Sequence, residues 1–155
     1  PILFTEGTVE AFSTDKYQYW PNAERYGFSM IRDFNRGTVG WTDWNLLLDQ
    51  TGGPNHVSNF CFAPIHGDTS TGELIYTPTY YYIGHFSKFV GPDSVRISTS
   101  VSRNVVLATS FLNPDGTMAT IVMNKSNDSI NYSFFLNDRQ VDLTIPPRAM
   151  QTLVY

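Results

Sequence analysis

Two strand-like stretches bracket a helix-like one, and together they decide the fold class. The first is Ile2-Leu3-Phe4-Thr5-Glu6-Gly7 and the last is Val39-Gly40-Trp41-Thr42-Asp43-Trp44-Asn45, with residues 22–36 between them. Ile2-Leu3-Phe4-Thr5 is a short apolar run without polar alternation, which suits a strand buried on both faces, as in a parallel sheet. In residues 22–36, Ala23, Tyr26, Met30, Ile31 and Phe34 recur at spacings of three and four. That is the apolar stripe of a helix. Gly27 would let a neighbour approach closely, and Gly37 stands where a helix C-terminal glycine belongs. Residues 39–45 then read as a second strand. Thr77 and Pro78 open a second helix, with a capping hydroxyl and a proline in its first turn, and it is expected to run to about Phe89. Strand, helix, strand, helix makes two βα units of an α/β architecture.

Beyond Gly91-Pro92-Asp93 the pattern changes to strands. Val95, Ile97, Thr99 and Val101 share a face, then Val105, Leu107, Thr109 and Phe111, then Ala119, Ile121 and Met123. Asp115-Gly116 between the latter two sets is a hairpin signal. Ile130, Tyr132 and Phe134 precede a polar turn at Asn137-Asp138. Val141, Leu143 and Ile145 follow it, and Leu153 and Tyr155 close the chain. Six short strands joined by polar turns predict an antiparallel β-sandwich. The expected division is 1–90 and 91–155, since Gly and Pro both break regular structure.

Composition excludes several function classes. The chain has 155 residues, 41% hydrophobic and 15% charged, with a net charge of −4. It is too apolar for a disordered segment. Its few basic residues are scattered, so no footprint for nucleic acid is present. No apolar run approaches the ~18 residues of a membrane span. Cys61 is the only cysteine, so no internal disulfide forms, and its apolar neighbours suit a buried inert thiol. His56, His66 and His85 lack metal-ligand spacing and no Cys or carboxylate cluster joins them, so neither a metal nor another cofactor is expected. The chain opens at Pro1 directly on an apolar run and is expected to be a piece of a longer one. Two βα units alone expose a sheet edge and apolar helix faces, so residues 1–90 are expected to need a partner.

The residues that could do chemistry lie at strand ends. Glu6 ends the first strand, and in parallel α/β sheets the carboxyl ends of strands line the site. It reads as a candidate nucleophile or acid/base, or as a capping or salt-bridging carboxylate. Trp41-Thr42-Asp43-Trp44-Asn45 ends the second strand. Indoles stack on sugar C–H faces, and amides and carboxylates bond hydroxyls, so the set suits carbohydrate recognition. It also suits a core indole with its neighbours, since strand residues alternate faces. The polar loop Gly52-Gly53-Pro54-Asn55-His56 lacks the Lys and Ser/Thr of a phosphate loop.

Val39-Gly40-Trp41-Thr42-Asp43-Trp44-Asn45-Leu46 followed by Gly52-Gly53-Pro54-Asn55 resembles the eighth-strand region of glycoside hydrolase family 30, the glucosylceramidase or acid β-glucosidase group. Gly84-His85-Phe86-Ser87-Lys88-Phe89 is similar to the helix that leads into that family's C-terminal β-sandwich. Phe4-Thr5-Glu6-Gly7 resembles the seventh-strand segment that carries the nucleophile, and Asn113-Pro114-Asp115-Gly116 a turn of the sandwich. The resemblance covers nearly the whole chain.

It implies the C-terminal part of a (β/α)8 TIM barrel followed by an antiparallel β-sandwich, and retaining hydrolysis of β-glucosides such as glucosylceramide. Two carboxylates about 5–5.5 Å apart would do that chemistry. By resemblance Glu6 is the nucleophile, Trp44 and Asn59 contact the glucose, and Trp41 and Asp43 support the pocket wall. The acid/base Glu would lie on the fourth barrel strand, in the remaining part of the barrel outside this sequence. Asp43 is a less fitting local substitute. A whole barrel takes about 250 residues. The chain alone is therefore expected to be inactive. The family has secreted bacterial and lysosomal members. Two other readings stand beside this one. The chain could be a non-catalytic carbohydrate- or glycolipid-binding module, or residues 91–155 could serve as scaffold only.

Overall fold

The computed structural model describes all 155 residues, and the chain divides into two compact units, Pro1–Gly84 and His85–Tyr155. The first unit holds the strands β1 (Ile2–Gly7) and β2 (Val9–Glu10), a 3-10 turn at Thr14–Lys16, the helix α1 (Trp20–Asn35) and the strand β3 (Thr38–Asp43). Four short strands follow: β4 (Leu47–Asp49), β5 (Cys61–Phe62), β6 (Ile65–Gly67) and β7 (Leu74–Tyr76). The helix α2 (Pro78–Ser87) ends this unit and continues into the next.

β1 and β3 pair in parallel with α1 as the crossover, the expected βαβ arrangement. α1 buries Ala23, Tyr26, Gly27, Met30 and Ile31, which is the stripe read from the sequence. It starts two residues earlier than expected. Pro21 fits the first turn, and the Trp20 indole packs edge-on against Tyr82 with ring centres 5.7 Å apart. The helix stops at Gly37, whose φ of +96° suits a residue without a Cβ. Arg36 and Gly37 donate their N–H groups to Asp33 and Phe34 carbonyls.

Two expectations are corrected here, and one region is added. β1 is not buried on both faces: Ile2 is 63% and Leu3 57% exposed, and β3 is its sole strand partner. Between β3 and α2 the expected loop at residues 52–56 is flanked by short strands that the sequence reading did not name. β4 pairs with β6 in parallel and β6 with β7 in antiparallel, while β2 pairs with β5. Strands of two or three residues are too short to show a period. The Thr77 hydroxyl does not cap α2 either; it donates to the Ala63 and Pro64 carbonyls at 3.1 Å each, pinning the helix start to that loop.

The second unit contains the six expected strands: β8 (Val95–Ile97), β9 (Val106–Leu112), β10 (Met118–Asn124), β11 (Ile130–Leu136), β12 (Arg139–Ile145) and β13 (Met150–Val154). All pairings are antiparallel. One sheet runs β13-β10-β9-β8, and β11 and β12 form a separate hairpin. Val106, Ala108, Val122, Ile130 and Ile145 make the core between them, with Tyr132 and Ala149 packed against it. The turn at Asp115-Gly116 forms as expected, with Gly116 at φ +86°. Asn137 takes φ +51° in the turn before β12, a conformation Asn tolerates.

Two details differ from simple alternation. β8 stops at Ile97, where the Thr99 hydroxyl donates to the Ile97 carbonyl at 3.2 Å and draws the chain out of the ladder. β10 is buried on both faces from Ala119 to Asn124. Its polar groups are therefore bonded. The Thr120 hydroxyl bonds Ser110 at 2.7 Å and Tyr155 at 2.9 Å. The Asn124 amide donates to the Asp128 and Pro146 carbonyls at 2.8 and 2.9 Å.

Candidate active site

The ends of β1 and β3 bring four of the sequence-derived residues together. Phe4 lies opposite Trp41 and Gly7 opposite Asp43. Between those pairs β1 takes three steps where β3 takes two, so β1 carries an extra residue at Thr5 and Glu6. Such a bulge bends a strand and re-aims a side chain. Glu6 sits on it, at the carboxyl end of a parallel pair, with its side chain exposed.

Trp41 and Asp43 pack toward α1. The Trp41 indole stacks on Phe4, ring centres 4.7 Å apart, and meets Tyr26 edge-on at 5.3 Å. Its Nε1–H donates to Asp33 Oδ2 at 3.2 Å. Asp43 Oδ1 accepts from the Tyr26 hydroxyl at 2.7 Å and from the Trp44 backbone N–H at 3.0 Å. Asp43 Oδ2 is buried with no hydrogen-bond partner. Burial pushes the Asp43 carboxyl up to about 6, outweighing the lowering effect of those two donors. Burial, then the nearby Asp43 charge, raises the Tyr26 phenol well above its ordinary range, so Tyr26 keeps its proton and donates.

Trp44 is the residue that turns outward. Its side chain is 57% exposed, and its backbone N–H donates to the Gly7 carbonyl at 2.8 Å. The backbones of Trp44 and of Gly7, the residue after Glu6, are thus joined by a hydrogen bond.

Asn59 lies one strand pair away. The Phe12 N–H donates to the Phe60 carbonyl at 3.2 Å, continuing the β2–β5 pairing, and the Asn59 amide donates to Glu10 Oε1 at 3.3 Å. Asn55 shapes the loop: its Oδ1 accepts from the Val57 and Asn59 N–H groups at 2.8 and 3.1 Å, and its amide donates to the Asn59 carbonyl at 2.6 Å. Sequence reading did not find Tyr26, Asp33 or Asn55 as site supports. Tyr26 was legible only as a member of the α1 stripe, and the role of Asn55 only as part of a polar loop.

Chemically, the arrangement offers the exposed Glu6 carboxylate, a second exposed carboxylate at Glu10 bonded to Asn59, a flat exposed indole and amide groups, a set that suits a polyol ring. Cys61 is buried beside Asn59. His66 is fully buried and His85 bonds the Thr152 hydroxyl at 2.8 Å. No group of three or more His, Cys, Asp or Glu side chains is placed to hold a metal ion, and no helix is long and apolar enough to cross a membrane.

The chain matches two family models. That of the glycosyl hydrolase family 30 TIM-barrel domain covers residues 2–90, and that of the family 30 beta sandwich domain residues 93–153. The lysosomal acid glucosylceramidase of Mus musculus is 38% identical over 112 residues, 72% of this chain and 22% of that protein. Among solved structures, SrfJ from Salmonella typhimurium is 35% identical with a TM-score of 0.94, over 99% of this chain and 34% of the other. The endo-beta1,6-glucanase BT3312 is 26% identical with a TM-score of 0.80, over 97% of this chain and 34% of the other. The chain thus spans 34% or less of the length of each of these three relatives.

Proposed function

The chain belongs to glycoside hydrolase family 30, with a portion of its TIM-barrel domain and its β-sandwich domain, and we propose that it is the C-terminal part of a retaining β-glucosidase of the glucosylceramidase type. Glu6 is the nucleophile. The observation that carries this is the exposed Glu6 carboxylate on the β1 bulge, next to Gly7, whose carbonyl accepts from the backbone N–H of Trp44, the residue with the exposed indole. The mouse glucosylceramidase, matched over 72% of the chain, supports a β-glucoside such as glucosylceramide as substrate.

In this reading the Glu6 carboxylate attacks the anomeric carbon. The bond to the aglycone oxygen breaks, and that oxygen takes a proton from an acid/base Glu on the rest of the barrel. The glucosyl ester on Glu6 is then cleaved by water, which gives its proton to the same acid/base group and leaves Glu6 free. Trp44 and Asn59 hold the glucose, with Trp41 and Asp43 behind them. The chain by itself holds one carboxylate of the pair, so turnover belongs to the complete enzyme. We take the domain boundary near Gly91 and assign the sandwich a scaffold role.

The test is Glu6→Gln in the complete enzyme. An amide is a poor nucleophile and leaving group, so kcat should fall by about 10⁴-fold or more. A 2-deoxy-2-fluoro-β-glucoside should label Glu6 covalently. Near-normal turnover of the variant, or labelling of a different residue, would sink the assignment.

A further inference from the structure

Asp43 joins two strand ends through a single oxygen. Its Oδ1 accepts from Tyr26 on α1 and from the Trp44 N–H, and that N–H is shared with the Gly7 carbonyl. A three-centre bond of this kind links the residue after Glu6 to the residue that carries the exposed indole. Oδ2 has no partner, so the carboxylate is oriented through Oδ1 alone. Tyr26 comes from the buried stripe of α1 and packs with Val9 and Phe62. A phenylalanine ring would fill that place equally well, so the hydroxyl answers to Asp43.

We propose that Tyr26 and Asp43 form a positioning pair for the glycosidase reaction. They hold the Trp44 backbone against the Gly7 carbonyl, so that the indole and the Glu6 carboxylate address the same sugar ring. Neither residue touches the substrate; each acts through Trp44 and the carbonyl of Gly7, the residue after Glu6. The inference rests on the reading of Glu6 as nucleophile. Without the Tyr26 hydroxyl, Asp43 can rotate, and the Trp44 N–H keeps only one fixed acceptor. A displacement of roughly 1 Å at a reacting group can cost about 100-fold in rate.

The experiment measures the rate of covalent labelling by a 2-deoxy-2-fluoro-β-glucoside, per folded molecule of the complete enzyme. Wild type comes first: a label found anywhere but Glu6 overturns the nucleophile reading, and this inference with it. Given that label, Tyr26→Phe should slow labelling by about tenfold or more, the scale of one lost bond to a charged group. A rate within about twofold of wild type, on the same scale, overturns the pair while leaving Glu6 as nucleophile. Asp43→Asn keeps an oxygen at Oδ1 and should label faster than Asp43→Ala, which removes it. Equal loss in those two variants overturns the proposal, and this comparison decides the matter if Tyr26→Phe does not fold. Failure of all three variants to fold makes the pair a folding element and also overturns it.

Discussion

The backbone N–H of Ala63 donates to Nε2 of the fully buried His66 at 3.0 Å. That bond requires Nε2 to be unprotonated, which leaves the ring proton on Nδ1, where it reaches the Asp49 carbonyl at 2.8 Å. Burial lowers the His66 pKa; the Asp49 carbonyl and carboxylate raise it, but by less. The unfolded chain, with an ordinary His pKa of about 6.5, then binds the extra proton first. The stability contributed by this ring is full above that value and is lost as pH falls toward the lower folded pKa. Thermal unfolding of wild type and His66→Leu across pH 5–8 checks this. The gap between the two should narrow as pH falls; a gap that is constant with pH contradicts it.

Gly7 stands against the Trp41 indole. A Cβ there would lie 2.5 Å from Cη2 and 3.1 Å from Cζ2. The ring cannot retreat, because Phe4 stacks on it and Tyr26 meets its edge. Gly7→Ala should therefore destabilise by about 1–3 kcal/mol, the usual cost of overpacking. It should also slow covalent labelling of the adjacent Glu6. Gly84→Ala is the control. It lies in α2 with nothing within 4 Å of its would-be Cβ, so it should be neutral or stabilise by up to about 1 kcal/mol. Equal melting temperatures for the two variants would refute the contact.

The buried Asp43 carboxyl gives a pH dependence of opposite sign. Its folded pKa is about 6, above the unfolded value of about 3.9. Between those values the folded state holds the extra proton, so this group's contribution falls as pH rises from 4 to 6. Asp43→Asn cannot titrate. Relative to that variant, wild type should gain in melting temperature as pH drops from 7 to 4. A relative loss over that range would show that the carboxyl is not raised.

Much of this fold was legible because its signals are local. The stripe Ala23, Tyr26, Met30 and Ile31 names α1, and the alternation from Val95 to Ile145, with Asp115-Gly116 between two strands, names the sandwich. The short strands β2, β4, β5, β6 and β7 were not legible, since two or three residues carry no period. The bulge at Glu6 was hidden too, because register depends on two strands at once. Glu6 and the set Trp41-Thr42-Asp43-Trp44-Asn45 stood out by residue type and position, and the family resemblance singled out Trp44 within it. The bond from Tyr26 to Asp43 spans 17 residues and that from Asn59 to Glu10 spans 49. No local pattern encodes either.

The sandwich core supplies a stability test away from the site. Ile145 is fully buried and shares its cluster with Val106, Ala108, Val122 and Ile130. Ile145→Ala removes three carbons from a place the two sheets cannot fully close, and should cost about 2–5 kcal/mol. Val141→Ala, on the same face but near the exposed other end of that strand, should change stability by no more than about 0.5 kcal/mol. Denaturant unfolding of the two variants checks this; similar midpoints would show that the cluster is loosely packed.

Backbone pairing predicts unequal opening along the chain. β10 lies between β9 and β13 and is bonded on both edges, whereas β1 is bonded on one edge to β3 alone. β10 is also buried on both faces, while β1 leaves Ile2 and Leu3 largely exposed. Regions with few buried apolar contacts and open backbone edges exchange through small local openings, and central strands exchange only near the global unfolding free energy. In the 155-residue chain by itself, the amides of β1 should therefore exchange much faster than those of β10. Adding the rest of the barrel should slow β1 and leave β10 little changed. Equal protection of β1 and β10 in the chain alone would refute the expectation that residues 1–90 need a partner.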